Sequence, residues 1–126
     1  MSRRILSLFN GIGGVQQALK NLNIDNICYS SEIDKYAIQI NQKNFPSTTQ
    51  LGDIKNISFY KHEDSVILST NDIETEGEFD LLVAGFPCQD MSCAKKDRKG
   101  LNGERSGLFF EVLRIMNEIK PKYVLF

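Results

Sequence analysis

The chain has 126 residues, with 15 basic and 16 acidic side chains and a formal net charge of -1. Hydrophobic residues make up 41% of it and charged residues 25%, the proportions of a globular domain rather than of a disordered tail. The length suits one domain with one core, and the balanced charge gives no support for binding to nucleic acid or membranes through bulk charge alone.

Short apolar runs alternate with amphipathic ones, as in α/β folds. In chain order, the patterns predict strand 5–9, helix 15–22, strand 27–31, helix 35–45, strand 49–51, strand 80–85, helix 108–119 and strand 123–126. Asp34 is the predicted N-cap of the second helix. The predicted inward faces of the three helices are Val15, Ala18, Leu19 and Leu22, then Tyr36, Ala37, Ile40 and Phe45, then Leu108, Val112, Ile115, Met116 and Ile119.

Residues 55–77 show no clear periodicity. The short apolar run of Val66, Ile67 and Leu68 is consistent with burial. Five acidic side chains lie between residues 72 and 80 with no basic residue among them, which predicts a solvated loop.

The first apolar run has some likeness to a signal peptide. Ser7 interrupts it, however, and Asn10 and Gly11 close it with no cleavage site of small residues behind them. No run in the sequence approaches the ~18 apolar residues of a membrane span. The run is therefore interpreted as a first strand, and the protein is expected to be cytoplasmic.

A glycine-rich turn follows this strand. Gly11, Gly13 and Gly14 allow positive φ and close approach of a ligand where a strand meets a helix, whose N-terminus attracts an anion. Glu32 follows Gly11 by 21 positions, close to the offset at which an acid meets ribose hydroxyls in nucleotide-binding βαβ units. Gln16 departs from the GxGxxG pattern, which favours a nucleoside ligand without a pyrophosphate, such as S-adenosylmethionine. By itself, the turn is also compatible with a simple strand–helix junction.

The three cysteines are odd in number and lack CxxC spacing, so neither a disulfide framework nor a metal site is expected. Cys28 lies within a predicted strand and is expected to be buried and inert, and Cys93 is also expected to be inert. Cys88 comes just after the fourth strand of the predicted sheet, at the edge where ligands bind in open α/β folds, and Pro87 stiffens its approach. A free thiol titrates near about 8.5, so a nucleophilic Cys88 needs a base or a positive field.

Residues 95–105 contain five basic and two acidic side chains. This basic, glycine-containing segment could contact a phosphate backbone and close over the cysteine like a lid, or it could be a solvated loop.

Five segments together resemble the C5-cytosine DNA methyltransferases, in the order found in that family. They are residues 8–14 (LFNGIGG), 31–34 (SEID), 52–54 (GDI), 85–92 (GFPCQDMS) and 107–111 (GLFFE). The resemblance covers nearly the whole chain. It implies a Rossmann-like, three-layer α/β fold with a mostly parallel open sheet of strand order 3-2-1-4-5, and it makes residues 1–126 the cofactor-binding part of a catalytic domain.

The resemblance implies a site for S-adenosylmethionine. Glu32 resembles the ribose ligand, Asp53 the group that accepts the adenine amino proton, and Phe9 the residue stacked near the adenine. Gly11, Gly13 and Gly14 resemble the turn beneath the methionine moiety. The remaining cofactor-binding positions that it implies are Ile33, Ile54, Pro87 and Leu108.

The resemblance also implies the chemistry and the partner. Cys88 matches the nucleophile whose thiolate attacks C6 of a cytosine and activates C5 toward the cofactor methyl group. Loss of the C5 proton and elimination of Cys88 then restore the ring. The target base must leave the duplex, because its reacting atoms are unreachable inside it. The implied DNA-contacting residues are Gln89, Ser92, Lys95, Lys96, Arg98 and Lys99.

In the family, a strand like that at 123–126 runs into a Glu-Asn-Val motif, and a target-recognition region follows. The sequence ends before these, so it is expected to be a fragment or one part of a split enzyme, to bind cofactor but be inactive alone, and to self-associate through its last strand. Three alternatives stay open: a non-catalytic cofactor-binding or partner-binding protein, a tRNA methyltransferase of the same family, and a nicotinamide-dependent oxidoreductase.

Overall fold

The computed structural model describes residues 2–85 and 107–126. Their strands are β1 (Arg3–Leu8), β2 (Asn26–Ser31), β3 (Thr49–Gly52), β4 (Ser58–His62), β5 (Ser65–Ser69), β6 (Glu74–Glu76), β7 (Leu81–Ala84) and β8 (Tyr123–Leu125). Their helices are α1 (Gly14–Asn21), α2 (Lys35–Asn44) and α3 (Gly107–Ile119), and a short 3-10 turn covers Ile54–Asn56. None of these helices is both long and apolar enough to cross a membrane.

Five strands form a parallel sheet of order β3-β2-β1-β7-β8. Counted along this sheet alone, the order is 3-2-1-4-5, so the predicted α/β architecture is confirmed. Alternation along β1 separates its two faces, because Ile5 packs with Leu19 of α1 whereas Leu6 packs with Ile115 of α3. The helices therefore cover both faces, in three layers.

The connection from β3 to β7 differs from the prediction. Crossovers between parallel strands are usually helical, but here β4, β5 and β6 form an antiparallel sheet packed on the α3 face. Leu68 and Ile57 are each 1% exposed and join the main core. The stretch 72–80 is not simply a loop, since Glu74–Glu76 pairs with β5, although the Glu74 and Glu76 side chains remain exposed.

Arg4 joins the small sheet to the main one. Its guanidinium lies 5.1 Å from the ring centre of Tyr29 and 4.8 Å from that of Phe79. It also donates a hydrogen bond to Thr75 of β6 at 3.3 Å. Cation–π contacts of this kind are strongest where water is partly excluded, so Arg4 stabilises the junction between the two sheets.

The predicted face of α3 is confirmed, with Val112, Ile115 and Ile119 buried and Leu108 and Met116 packed against the same core. On α1 the prediction was wrong for Ala18 and Leu22, which are exposed, while Gln16 is buried instead. The helix packs on the sheet through Leu19 and Gln16, so its buried face shares Leu19 with the predicted apolar stripe but is rotated toward Gln16 and away from Ala18.

On α2 the prediction was wrong for Tyr36 and Ile40, which are 65% and 45% exposed. The buried residue of this helix is Asn41, and Ala37 is half-buried beside it. The reason is that α2 packs on the glycine-rich turn, where Asn41 makes hydrogen bonds that an apolar side chain could not make. Asp34 caps the helix as predicted, accepting from the backbone N–H groups of Tyr36 and Ala37.

Asp80, just before β7, is expected to make the stability of the fold depend on pH. Its Oδ2 accepts from the backbone N–H of Arg4 at 2.8 Å, and Lys122 Nζ lies 3.3 Å from its Oδ1. The Arg4 hydrogen bond, helped by Lys122, holds the pKa of Asp80 below its ordinary value. The ionised carboxylate therefore stabilises the fold above the unfolded-state pKa, and this contribution disappears as the pH falls through the folded pKa.

We expect Asp80→Asn to lower the free energy of unfolding at pH 7 and to weaken its decrease below about pH 4. Urea denaturation of both proteins at pH 7 and pH 3 measures this. Glu78→Gln, at an exposed acid two residues earlier, is the control. An unchanged pH dependence in Asp80→Asn would contradict the assignment.

Candidate functional site

The carboxyl ends of β1, β2, β3 and β7 meet at one edge of the sheet. A cleft of ≈ 330 Å³ opens there, lined by Phe9, Ser31, Glu32, Ile33, Asp53, Ile54, Gly85 and Leu108. Depressions of ≈ 390 and ≈ 430 Å³ lie at the opposite, amino-end edge, beside Lys122 and Tyr123 respectively. Ligands of open α/β sheets bind at the carboxyl ends, and only the first cleft lies there among these three.

The glycine-rich turn forms one side of this cleft. Phe9 has φ 54°, Gly11 φ 61° and Gly13 φ 110°, so the backbone passes repeatedly through left-handed conformations. A non-glycine residue such as Phe9 seldom adopts positive φ, and such positions concentrate at ligand sites. The turn is tied to the end of β2, because the N–H of Asn10 donates to the carbonyl of Ser31 at 3.1 Å.

Glu32 organises the centre of the cleft. Its Oε1 accepts from the N–H of Gly11 at 2.7 Å, and its Oε2 accepts from the N–H groups of Ile33 and Asp34 at 2.9 and 3.1 Å. A carboxylate has about four acceptor positions, so these three bonds leave about one for a hydroxyl donor of a ligand. Glu32 thus joins the glycine-rich turn to the start of α2 and presents its remaining acceptor to the cleft.

Asp53 provides a second acid, at the end of β3. Its Oδ1 accepts from the N–H of Lys55 at 2.9 Å and caps the short 3-10 turn that begins at Ile54. This contact uses one of its two carboxylate oxygens. The other suits a ligand N–H or O–H donor.

The rest of the lining is apolar. Phe9, Ile54 and Leu108 pack against the main core, whereas Ile33 is 74% exposed at the cleft. A flat apolar group could lie between these side chains while its polar substituents donate to the two acids. The volume is at the lower end for small-molecule sites, which are about 300 to 1,000 Å³. The cleft therefore suits a small, flat ligand with hydrogen-bond donors at its edge.

Six of the ten predicted cofactor-binding residues line this cleft: Phe9, Glu32, Ile33, Asp53, Ile54 and Leu108. Gly11 lies beside it through its bond to Glu32. Gly13 is buried behind the turn against α2, and Gly14 begins α1, so neither lines the cleft. Pro87, the nucleophile candidate Cys88 and the predicted DNA-contacting residues Gln89, Ser92, Lys95, Lys96, Arg98 and Lys99 lie outside the described residues, as does Cys93.

Sequence reasoning missed Ser31 and Gly85 as lining residues. Ser31 ends β2 directly before Glu32 and donates its hydroxyl to the carbonyl of Gly52 at 2.7 Å, and Gly85 directly follows β7. Their positions at strand ends were the available signal. Neither residue type, serine or glycine, suggested ligand chemistry.

Cys28 is confirmed as a buried residue of the sheet. Its burial raises the pKa of the thiol to about 12, so almost no thiolate forms at neutral pH. Cys28 is therefore unsuited to act as a nucleophile. Within 2–85 and 107–126, no group of three His, Cys, Asp or Glu side chains lies close enough together to hold a metal ion.

Comparison with known proteins adds the family. Residues 3–126 match the model of the family "C-5 cytosine-specific DNA methylase". The chain is 36% identical over 121 residues to type II methyltransferase M.HhaI of Haemophilus parahaemolyticus, covering 96% of this chain and 32% of that protein. It is 37% identical over 123 residues to type II methyltransferase M.NlaX of Neisseria lactamica (97% and 34%) and 37% identical over 126 residues to orphan methyltransferase M.Rho11sI of Bacillus phage rho11s (98% and 22%).

The chain thus spans about a third or less of the length of these relatives. A solved structure of a TehB-like SAM-dependent methyltransferase from Corynebacterium glutamicum aligns over 90% of this chain and 64% of that one, with 16% identity and a TM-score of 0.47. The fold assignment rests on the strand order described above, and the family assignment rests on the match over residues 3–126. The chain belongs to the C-5 cytosine-specific DNA methylase family.

Proposed function

We propose that this chain is the cofactor-binding part of a DNA cytosine-5 methyltransferase and that its cleft holds S-adenosylmethionine. The observation that supports this most directly is the pairing of Glu32 and Asp53 across an apolar cleft, at the carboxyl ends of the strands, in a member of this family. When bound, the cofactor supplies the methyl group.

The residues of the cleft fit this cofactor. Glu32 would accept a ribose hydroxyl with its remaining acceptor position, and Asp53 would accept from the adenine amino group. The apolar side chains Phe9, Ile33, Ile54 and Leu108 would hold the purine. The backbone of the glycine-rich turn, at the N-terminus of α1, would face the methionine carboxylate, for which the helix dipole is favourable.

We propose Cys88 as the nucleophile. It follows Gly85, a lining residue, by three positions, and three residues of chain span at most about 11 Å. Its thiolate would form a bond to C6 of a flipped cytosine and so place electron density on C5. After substitution at C5, loss of the C5 proton would allow the bond between sulfur and C6 to break, which restores the aromatic ring and the thiolate.

Double-stranded DNA is the proposed substrate, contacted by the basic segment 95–105, and the proposed setting is the cytoplasm. Because the chain spans a third or less of its relatives, we propose that methyl transfer requires parts supplied by further protein, for example a second chain. Self-association through β8 stays a prediction. The side chains of residues 123–126 are exposed, as that prediction requires.

Calorimetric titration of the chain with S-adenosylhomocysteine, with NAD as the control ligand, tests the proposed cofactor. We expect binding of S-adenosylhomocysteine alone. Binding of NAD with equal affinity, or of neither ligand, would contradict the proposed cleft function.

Transfer of labelled methyl groups to DNA tests whether methyl transfer requires further protein. We expect no transfer by this chain alone, and we expect Cys88→Ser to retain S-adenosylhomocysteine affinity within about twofold, because the thiol is not assigned to cofactor binding. Cys93→Ser is the matched control. The chain alone could instead transfer methyl groups, with the transfer abolished by Cys88→Ser but not by Cys93→Ser. That result would support Cys88 as the nucleophile and overturn the proposed need for further protein.

A further inference from the structure

A layer of polar side chains lies buried beneath the glycine-rich turn, where an α/β core is ordinarily apolar. Ser7, Ser30 and Asn41 are 1%, 0% and 0% exposed. Ser7 and Ser30 pair across β1 and β2, and alternation places them on the same face as Ile5 and Cys28, which are covered by α1. The polar layer therefore lies between the sheet and the helices. It is nearer to the cleft than the apolar contact that Ile5 and Cys28 make with α1.

Ser30 and Asn41 are linked through the half-buried Gln50 by a chain of hydrogen bonds that ends at the turn. The hydroxyl of Ser30 donates to Gln50 Oε1 at 2.8 Å, and Gln50 Nε2 donates to Asn41 Oδ1 at 2.7 Å. This arrangement points Asn41 Nδ2 toward the turn, where it donates to the carbonyl of Ile12 at 3.5 Å. Strands β2 and β3 thus orient the Asn41 amide, and the amide contacts the turn.

The contact between Asn41 and the turn is close. A Cβ atom added to Gly13 would lie 2.4 Å from Asn41 Nδ2 and 2.9 Å from ring carbons of Phe45. The backbone at Gly13 therefore rests directly on Asn41. A change in this side chain would allow the turn to shift, and Gly11, which bonds to Glu32 in the cleft, is two residues away.

We propose that Asn41, oriented by Gln50 and Ser30, is a positioning residue of the cofactor cleft that holds the glycine-rich turn in its ligand-binding conformation. Asn41 does not line the cleft, so it acts on the ligand only through the turn. The inference rests on the proposed function, because it assumes that the turn and the cleft bind S-adenosylmethionine.

The test distinguishes an effect on the position of the turn from a general loss of stability. Asn41→Leu removes both polar atoms at similar side-chain size but leaves Gln50 Nε2 without its acceptor, so we expect a loss of stability as well. The double variant Asn41→Leu/Gln50→Met removes the unpaired Gln50 amide without restoring the contact to Ile12. It also leaves the buried Ser30 hydroxyl without its acceptor, so we expect a stability close to that of the single variant. Ile115→Ala, a fully buried position on the opposite face of the sheet, is the control for lost stability alone.

We expect both the single and the double variant to bind S-adenosylhomocysteine about fivefold to tenfold more weakly, at a temperature where all proteins are folded. We expect Ile115→Ala to have a lower Tm but an affinity within about twofold of the unsubstituted chain. The amide NMR shifts of Gly11 and Gly13 without ligand should change in the two Asn41 variants and stay unchanged in Ile115→Ala. If Asn41→Leu does not fold, the same changes, at about twofold to threefold in affinity, are expected of Gln50→Met alone.

Unchanged affinity and unchanged glycine shifts in the Asn41 or Gln50 variants would overturn the inference and leave the proposed function standing. Absence of binding by the unsubstituted chain would overturn the proposed function and the inference together. These two outcomes are distinguishable by the first titration.

Discussion

Gly13→Ala is expected to unfold the glycine-rich turn and to abolish measurable binding of S-adenosylhomocysteine. Gly13 has φ 110°, and its added Cβ would lie 2.4 Å from Asn41 Nδ2 and 2.9 Å from the ring of Phe45. Left-handed backbone costs an L-residue about 1–2 kcal/mol and overpacking of a core costs about 1–3 kcal/mol. We therefore expect the free energy of unfolding to fall by about 2–5 kcal/mol, measured by urea denaturation.

Gly14→Ala is the matched control. Gly14 is the first residue of α1, its φ lies outside the left-handed range, and an added Cβ meets no atom within 4 Å. Alanine is a better helix former than glycine by about 0.8–1.0 kcal/mol in a helix interior, so we expect unchanged or slightly increased stability. Equal losses in the two variants would contradict the structure of this turn.

Glu32→Ala is expected to weaken binding of S-adenosylhomocysteine by about 10- to 100-fold, because hydrogen bonds to a charged group contribute about 1.5–3 kcal/mol. The variant removes the acceptor proposed for the ribose. It also removes the acceptor of the Gly11, Ile33 and Asp34 N–H groups, so the turn loses its tie to the start of α2.

Glu32→Gln separates these two roles. Its single carbonyl oxygen can accept from Gly11 or from the ligand, and it lacks the charge, so we expect an intermediate affinity. Glu74→Gln, at an exposed acid of β6, controls for the change in net charge. An affinity of Glu32→Ala equal to that of the unsubstituted chain, measured by calorimetry, would exclude Glu32 from the site.

Much of the fold was predictable from local pattern. The strands β1, β7 and β8 contain short apolar runs, and Asp34 is an N-cap that satisfies backbone donors within its own helix, so both features depend on neighbouring residues. The small antiparallel sheet was not predictable in this way. The pattern of β4 is weak, since Tyr60, Lys61 and His62 are all exposed and only Phe59 of this strand packs against the main core, so the strand depends on its pairing with β5.

The candidate site, too, was predictable only in part. Glu32 and Asp53 were predictable because each directly follows a predicted strand, and carboxyl ends of parallel strands converge. The three backbone N–H groups on Glu32 were not predictable, since they depend on the path of the turn over β2.

The sequence by itself determined the order of the parallel strands and of the described helices, the buried character of Cys28 and the placement of two acids and a glycine-rich turn at strand ends, because these follow from periodicity and residue type. Tertiary structure alone decided which sides of α1 and α2 face inward. There Gln16 and Asn41 are buried while Leu22 and Tyr36 are exposed, against their hydrophobicity. For Asn41 the physical reason is that the tight turn brings the carbonyl of Ile12 next to the core, where it requires a hydrogen-bond donor from a residue distant in the chain.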